Sequence, residues 1–205
     1  MKVGEVTSTS SLVQEWIADA TKGAPLITYT NEVRDIHNHR MTRAYAEATH
    51  QEHIVYYAVD RVGKGSDRIV LKGQNAEDAW NTPPKQAAND LAGRLSLAIG
   101  MPVIVTENVL VKEGISNGSR GILEGIEYYT DSGRRHATSV TVKLVDYKGV
   151  SRSVDIPYVI KDITYKKAGV ADPYRAKRQQ VPIVAGFACT VHNSQSMSVT
   201  NAILH

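Results

Sequence analysis

Short polar side chains cluster near the end of the chain, in the stretch FACTVHNSQSMSVTNAILH over residues 187–205. Thr190, His192 and Gln195 follow one another closely there, and PIVAGFACTVHNSQ (182–195) predicts a loop that enters a helix. A helix start presents backbone N–H groups, and hydroxyl, imidazole and amide groups add hydrogen-bonding capacity that suits phosphate oxygens. These groups predict binding to a sugar-phosphate backbone without recognition of individual bases. Helix-capping hydroxyls beside a buried histidine would have the same spacing, so a structural role stays open.

The elements that must position these side chains begin with a strand and a helix. APLITYT (24–30) is an apolar, β-rich run, and residues 31–48 show helical spacing, with Thr30 or Asn31 as the N-cap. A strand, a polar cap and a helix in that order start a βα unit. VTNAILH (199–205) predicts a second buried strand, which we expect in one mostly parallel sheet with the first. The expected apolar face of the helix comprises Val33, Ile36, Met41, Ala44, Tyr45 and Ala48.

Between these ends the pattern changes to short β-type runs. Residues 53–62 predict the next strand, and residues 72–90, which contain Pro83 and Pro84, predict a loop with a short helix after it. From Leu95 onward the strand candidates are RLSLAI, PVIVTEN, GILEGIEYY, TSVTVKLVDY, VSRSVDIPY and VIKDITYK, with hairpin turn chemistry in TDSGRR and DYKGVS. Closely spaced antiparallel strands predict a small β-barrel inserted into the α/β part.

The expected fold is therefore an α/β domain that is split by an inserted antiparallel barrel. The predicted boundaries are a polar lead-in with one short helical piece at 1–22, a first α/β part at 23–93, the barrel at 94–178 and a second α/β part at 179–205.

The charge of the chain is uneven. Its 205 residues carry a net charge of +3, but residues 134–178 hold 11 basic and 4 acidic residues, a net of +7, against 13 basic and 17 acidic residues elsewhere. Such a segment points to a polyanion, although a solvated charged surface is equally compatible. Phe187 is the aromatic residue nearest the polar motif in sequence, so base stacking is expected to contribute little.

Several other chemistries are not expected. Cys189 is the single cysteine, which excludes an intrachain disulfide, and no run reaches the roughly 18 apolar residues of a membrane span. The start has no secretory signal, so an intracellular location is expected, with no membrane partner. RVGKGSDR (61–68) fails the phosphate-loop pattern and predicts a turn, and the histidines lack partners at metal-ligand spacing, so no metal site is expected.

Three stretches then carry a combined signal: LITYTNEVRDIHNHRM, LSLAIGMPVIVTENVLVKEGISNGSRG and QVPIVAGFACTVHNSQSMSV. In order and interval they resemble the C-terminal half of superfamily-one, subfamily-B DNA helicases. The resemblance is to the petite-integration-frequency (PIF) type, including the helicase ends of Helitron transposons, and more distantly to the RecD type. It covers residues 25–205 and implies a split second RecA-like domain with an inserted Src-homology-like barrel.

The matches to that family can be stated residue by residue. The first stretch resembles T-N-x-x-V-x-x-I-N, with Asn38 as its last polar position and Ile36 in the apolar one. The second resembles G-x-x-V-x-x-x-x-N … N-G-x-x-G, with matches at Gly100, Val103, Asn108, Asn117, Gly118 and Gly121. The third resembles T-x-H-K-x-Q-G, but Asn193 replaces the lysine and Ser196 the final glycine. The nucleic-acid-binding residues expected from this resemblance are Thr30, Asn31, Thr190, His192, Asn193 and Gln195.

The resemblance implies part of an ATP-dependent 5′-to-3′ DNA helicase that acts in repair, recombination or transposition, in the nucleus if the source is eukaryotic. The expected partners are single-stranded DNA, bound weakly and without sequence preference, and an ATP-binding RecA-like domain in cis. No catalytic residue or bound cofactor is expected in this chain, since ATP and Mg²⁺ belong to a full-length helicase, whose arginine finger would follow Leu204. A non-catalytic, helicase-derived module for nucleic-acid binding or domain interaction is the alternative, and a plain β-barrel scaffold is a third possibility.

Overall fold

The computed structural model describes residues 9–204, apart from positions 21, 66, 85–90, 110–114, 145–151, 168–169, 171 and 195–200. The helices of this part of the chain are α1 (Thr9–Ala18), α2 (Asn31–Ala48), α3 (Gly73–Trp80) and α4 (Val191–Ser194). Its strands are β1 (Leu26–Thr28), β2 (Ile54–Tyr57), β3 (Val59–Val62), β4 (Ile69–Val70), β5 (Arg94–Leu97), β6 (Pro102–Val105), β7 (Arg120–Asp131), β8 (Arg134–Leu144), β9 (Arg152–Pro157), β10 (Val159–Tyr165), β11 (Tyr174–Gln180), β12 (Ile183–Ala185), β13 (Ala188–Thr190) and β14 (Ile203–Leu204). No helix among the described residues is long and apolar enough to cross a membrane.

A three-stranded parallel sheet joins the two ends of the chain. Strand β1 is central, with β13 on one side and β14 on the other, and both pairings are parallel. The prediction that the first and last strands share one sheet is therefore confirmed. Parallel strands align their carboxyl ends, so the residues that follow β1 and those that follow β13 emerge at the same edge.

Helix α2 follows β1 directly and has its predicted bounds. The Thr30 side chain caps it by accepting a hydrogen bond from the Val33 N–H at 3.3 Å. Its predicted apolar face is wrong in part, because Ile36 is 48% exposed. The buried residues are instead Arg34, Asn38, Met41, Thr42, Tyr45 and Ala46. The N-terminal half of this face is polar because it borders an open cleft, whereas Met41, Tyr45 and Ala46 reach the core.

The remaining described strands form two sheets of largely antiparallel, barrel-like architecture. One has the order β12-β6-β7-β8-β2-β5, with β9 also paired to β8, and the other has the order β10-β11-β3-β4. The β7–β8 hairpin turns at Ser132 (φ 50°) and Gly133 (φ 76°), as the sequence TDSGRR predicts. RVGKGSDR also forms its predicted turn, between β3 and β4, with positive φ at Gly63 and Gly65. The other predicted hairpin turn, DYKGVS, lies outside the described residues.

Several predicted elements differ from the structure. Residues 53–62 form two strands in different sheets, β2 paired with β5 and β3 paired with β11, so hydrogen bonding crosses the predicted boundary at 93/94. The boundaries themselves stay a prediction. Helix α3 lies before Pro83 and Pro84, in the stretch that was predicted as a loop. The short helix predicted after that loop falls on or next to residues 85–90, which lie outside the described residues. Residues 182–190, predicted as a loop, contain β12 and β13, and three-residue strands are too short to show a period.

The main hydrophobic core contains residues from both the parallel sheet region and the barrel-like sheets. Trp16 of α1 is 1% exposed and meets the Phe187 ring edge-on, with 5.3 Å between centroids. Tyr45 of α2 approaches the same ring at 5.8 Å. The segment predicted as a polar lead-in therefore contributes a buried tryptophan, which belongs to the core rather than to the surface.

A buried ion pair joins β3 to β11. The Arg178 guanidinium donates two hydrogen bonds to the Asp60 carboxylate, each at 2.8 Å, and both side chains are at most 1% exposed. It also donates to the backbone carbonyls of Leu91 (3.1 Å) and Ala79 (2.6 Å). These added bonds satisfy the guanidinium in an interior where an unpaired charge would be costly.

Candidate nucleic-acid interface

The carboxyl edge of the parallel sheet brings two of the sequence motifs together. Thr28 of β1 lies opposite Thr190 of β13, and the chain continues from these strands to Tyr29 and Thr30 on one side and to α4 on the other. Helix α4 carries His192, which is exposed. This edge of an α/β sheet is where ligands commonly bind. Residues that are about 160 positions apart in sequence thus form one surface.

The predicted binding residues on this edge differ in how available they are. His192 is exposed, whereas Thr190 is only 8% exposed. Thr30 is exposed, but its hydroxyl oxygen already caps α2. The Asn31 side-chain oxygen is buried without a hydrogen-bond partner among the described residues. Gln195 and the side chain of Asn193 lie outside the described part of the structure, so their predicted role in binding stays a prediction.

Asn38 fixes β13 against α2. Its Oδ1 accepts a hydrogen bond from the Ala188 N–H at 2.7 Å, and its Nδ2 donates to the Ala188 carbonyl at 3.2 Å. Both of these hydrogen bonds are buried. Asn38 therefore acts as a positioning residue that holds the strand leading to Thr190 and His192.

The second motif forms the turn that leads into the barrel. The Asn108 Oδ1 accepts a hydrogen bond from the Asn117 N–H at 2.9 Å, and the Gly118 N–H donates to the Val105 carbonyl at 2.8 Å. Gly118 has φ 93°, a conformation that favours glycine. The spacing of Asn108, Asn117 and Gly118 is thus explained by the turn itself, which borders the cleft.

Gly100 and Gly121 of the same motif are packing positions. Gly100 has φ 86°, donates to the Leu123 carbonyl at 2.7 Å and accepts from the Tyr45 hydroxyl at 2.9 Å. A Cβ at Gly121 would lie 2.3 Å from Cγ1 of Val142, so the close approach of β7 to β8 excludes a side chain.

A cleft of about 560 Å³ lies between α2, the turn at 117–118, the segments 80–84 and 92–96, and His192. Its floor includes small apolar residues such as Ala185 and Ala188, and its walls carry cationic or titratable groups. These groups are Arg34, His39, Arg94 and His192, accompanied by the carboxylate of Asp35. A groove with cationic walls and an apolar floor can accommodate an extended, negatively charged chain.

Arg34 is a cleft residue that the sequence analysis missed. Its side chain is only 7% exposed, and its Nε and Nη2 contact Asp35 Oδ1 at 2.7 and 2.6 Å. A guanidinium has five N–H donors, so it can hold a carboxylate and still present donors to a phosphate. The sequence did contain a signal that Arg34 could share a site with Asn38. Arg34 lies four residues before Asn38, which puts both side chains on one face of α2.

Tyr29 is the second missed residue, because only Phe187 was considered as an aromatic ring near the motif. It directly follows Thr28, which is paired with Thr190, and it is 82% exposed. Phe187, the nearest aromatic residue in sequence, is fully buried. The sheet register, which the sequence does not reveal, brings Tyr29 to the edge where His192 lies.

Five of the eleven basic residues at 134–178 form ion pairs within the described part of the protein. The ion pairs are Arg134 with Glu77, Arg135 with Glu52, Lys161 with Glu107, Lys177 with Asp162 and Arg178 with Asp60. Net charge along the sequence therefore overstates the positive charge that this segment offers to a polyanion.

The histidines near α2 do not build a metal centre. Among the described residues no group of three or more His, Cys, Asp or Glu side chains could hold a metal ion. Burial, and then the charge of Arg40, lower the pKa of His37 below its usual 6.5. Burial, and then His39 and Arg43, lower the pKa of His53 in the same way. Both shifts favour neutral imidazoles.

Comparison with known proteins identifies the fold. No protein-family model matches the chain, and no curated protein sequence matches it. Bacteroides Pif1 bound to ssDNA is similar with a TM-score of 0.56 and 15% identity, over 100% of this chain and 44% of that one. Bacteroides Pif1 in complex with ADP-AlF3 and ssDNA gives 0.54 and 16% identity, over 97% and 39% of the two chains. Pif1 helicase from Candida albicans gives 0.54 and 17% identity, over 88% and 39%.

These similarities define first a helicase-related α/β fold with a parallel sheet and an attached barrel-like sheet. More particularly, the fold is similar to that of the Pif1 helicases compared above. The chain spans less than half the length of these helicase chains. Identities of 15–17% show the fold alone, so what the chain binds has to be argued from its own residues.

Proposed function

We propose that this chain is the second RecA-like half, with its inserted barrel, of an ATP-dependent 5′-to-3′ DNA helicase, and that it holds single-stranded DNA along the cleft. The observation that carries the proposal is the meeting of the first and third motifs at one sheet edge, beside the cleft that the second motif also borders. The similarity of the fold to Pif1 structures solved with ssDNA supports it.

The chemistry of the cleft suits a strand that is held by its backbone. Arg34 and His192 supply donors to phosphate oxygens, and Tyr29 at the edge supplies a ring on which a base can stack. Neither type of contact distinguishes one base from another. Because few cationic groups take part, binding is expected to be weak and to fall with rising salt, with a log–log slope of about −0.7 per phosphate neutralised.

The residues present do not fit a nucleotide site of the phosphate-loop type. The sequence has no G-x-x-x-x-G-K-[ST], and the one superficially similar stretch, RVGKGSDR, turns between strands β3 and β4 rather than leading from a strand into a helix. In the proposed motor, ATP and Mg²⁺ are therefore supplied by an ATP-binding RecA-like domain in cis, and the role of this chain is to hold the strand and move against that domain.

A non-catalytic module derived from a helicase is the second candidate. Asn193 and Ser196 favour it, because they replace the lysine and glycine of the motif that the chain resembles. Such a module would bind the same strand. An open reading frame that encodes a complete phosphate loop upstream would favour the motor, and its absence from that frame would favour the module.

The binding test compares His192→Asn with His50→Asn, since both residues are exposed histidines and His50 lies beyond the opposite end of α2. Fluorescence anisotropy at low salt would follow a labelled oligothymidylate of about 12 nucleotides. We expect His192→Asn to weaken binding by at least about three-fold and His50→Asn to leave it unchanged. Equal affinities for the two variants, or no binding by the unmodified chain, would refute the proposed interface.

A further inference from the structure

A second pocket, of about 220 Å³, lies within the barrel region. It is bounded by β3, β4, the first turn of α3 and the tip of the β7–β8 hairpin. Three of its lining residues are basic, namely Arg61, Lys72 and Arg134, and His136 lines it as well. None of them belongs to the sequence motifs that define the cleft.

The carboxylates that face this pocket do not cancel its positive charge. Asp60 lines it, but both of its oxygens accept hydrogen bonds from Arg178 at 2.8 Å, so its charge is already matched. Asp131 is the other acidic residue among the described residues that line the pocket. Glu77 forms an ion pair with Arg134 at 3.1 Å. Arg61 donates a hydrogen bond to the side-chain oxygen of Gln179. Because Gln179 is neutral, this hydrogen bond does not offset the positive charge of Arg61. The lining is therefore positive on balance.

Aromatic rings form the remaining walls of the pocket. The rings of Tyr129 and His136 stack with 5.2 Å between centroids at 25°, and Tyr129 is 42% exposed. Trp80 lines both this pocket and the cleft. The guanidinium groups of Arg94, at 5.8 Å, and Arg134, at 5.2 Å, both lie near its ring centroid, and Glu77 contacts both arginines. Trp80 thus borders two neighbouring spaces, and basic residues line each of them.

We infer that the barrel pocket binds a phosphate group of the same nucleic-acid strand that occupies the cleft, so that the strand passes Trp80. This inference rests on the proposed function, because the cleft supplies the rest of the strand. The phosphodiester anion is bound by Lys72, Arg61 and Arg134, and the Tyr129 ring contacts the adjoining sugar or base.

The test compares Lys72→Gln with Lys64→Gln. Both lysines are exposed and belong to the β3–β4–α3 region, and both substitutions remove one positive charge, but Lys64 lies in the β3–β4 turn and does not line the pocket. Each variant is titrated with oligothymidylates of about 4 and about 12 nucleotides, chosen to fill the cleft alone or the cleft and the pocket. A third titration uses inorganic phosphate alone and follows backbone amide NMR signals of residues 72–76.

We expect Lys72→Gln to weaken binding of the longer oligonucleotide by about three-fold and to reduce its salt slope by about 0.7, while the shorter one is unaffected. Lys64→Gln should change neither. If the two variants bind the longer oligonucleotide equally, the inference is wrong although the cleft proposal stands. Weaker binding of inorganic phosphate with unchanged oligonucleotide binding would assign the pocket to a free anion and also overturn it. If the unmodified chain binds neither oligonucleotide, the proposed function itself fails.

Discussion

Tyr29 presents an aromatic ring at the edge where the two polar motifs meet, and it is 82% exposed. If this ring stacks on a base, Tyr29→Ala should weaken binding of single-stranded DNA by about five-fold or more, since stacking is worth about 1–3 kcal/mol per base. Tyr29→Phe keeps the ring and should bind as the unmodified chain does. Anisotropy titrations with an oligonucleotide and with its abasic counterpart measure the effect.

The abasic strand is the internal control for Tyr29, because it keeps the phosphates and removes the bases. Both the unmodified chain and Tyr29→Ala should bind it with the same affinity. A loss of affinity for the abasic strand as well would mean that Tyr29→Ala disturbs the sheet edge, and stacking would then not be the explanation.

At the residue scale, sequence spacing indicated polar side chains that lie at the sheet edge, but not the hydrogen bonds that they make there. Thr30 was predicted both as an N-cap and as a nucleic-acid-binding residue, and its oxygen does cap α2, while Asn38 uses both ends of its amide on Ala188. A polar residue in a motif can satisfy backbone groups or contact a ligand, and spacing alone does not separate these uses. Arg34 was missed because a charged residue in a predicted helix is usually solvated, whereas here it borders the cleft.

Helix α1 gives the clearest prediction at the scale of elements. Trp16 packs edge-on against Phe187, one residue before β13, so it supports the strand that carries Thr190. Trp16→Ala should lower the free energy of unfolding by about 3–5 kcal/mol, the usual cost of removing a large buried aromatic ring. Urea denaturation followed by circular dichroism measures this change.

The control for Trp16 is Glu15→Ala, an exposed position on the same helix, which should change stability by less than about 0.5 kcal/mol. A stability for Trp16→Ala close to that of the control would show that α1 does not contribute to the core.

Elements with a strong period were predictable, and elements defined by tertiary pairing were not. Helix α2 and the long strands β7 and β8 follow from spacing and turn chemistry, and the structure has them. Strands β12 and β13 hold three residues each, and β11 ends in the polar run Arg178-Gln179-Gln180, whose buried side chains bond to Asp60, Arg61 and the Ala92 carbonyl respectively. Neither their existence nor the break at Ala58 between β2 and β3 can be read from local sequence.

At the scale of the whole molecule, one hydrophobic cluster contains residues of both architectures. Met41 and Phe187 from the parallel sheet region belong to the same cluster as Val103, Leu123 and Val142 from the barrel-like sheet. We therefore expect the chain to unfold in a single cooperative transition. Thermal melts followed by far-ultraviolet circular dichroism and by tryptophan fluorescence should give coincident curves. Two separated transitions would instead support independent domains near the predicted boundaries.

The parallel sheet also has a consequence for how the protein is made. Asn38 and its partner Ala188 are 150 residues apart in the chain, and β13 follows only at that point. At about 5–20 residues per second, a ribosome needs roughly 8 to 30 seconds to synthesise this interval. Until β13 and β14 have been synthesised, β1 has no neighbouring strand in this sheet, and the amide of Asn38 lacks its partner Ala188. The first half of the candidate interface thus emerges early as an unpaired strand, and the sheet edge is complete only after residue 190 has left the exit tunnel.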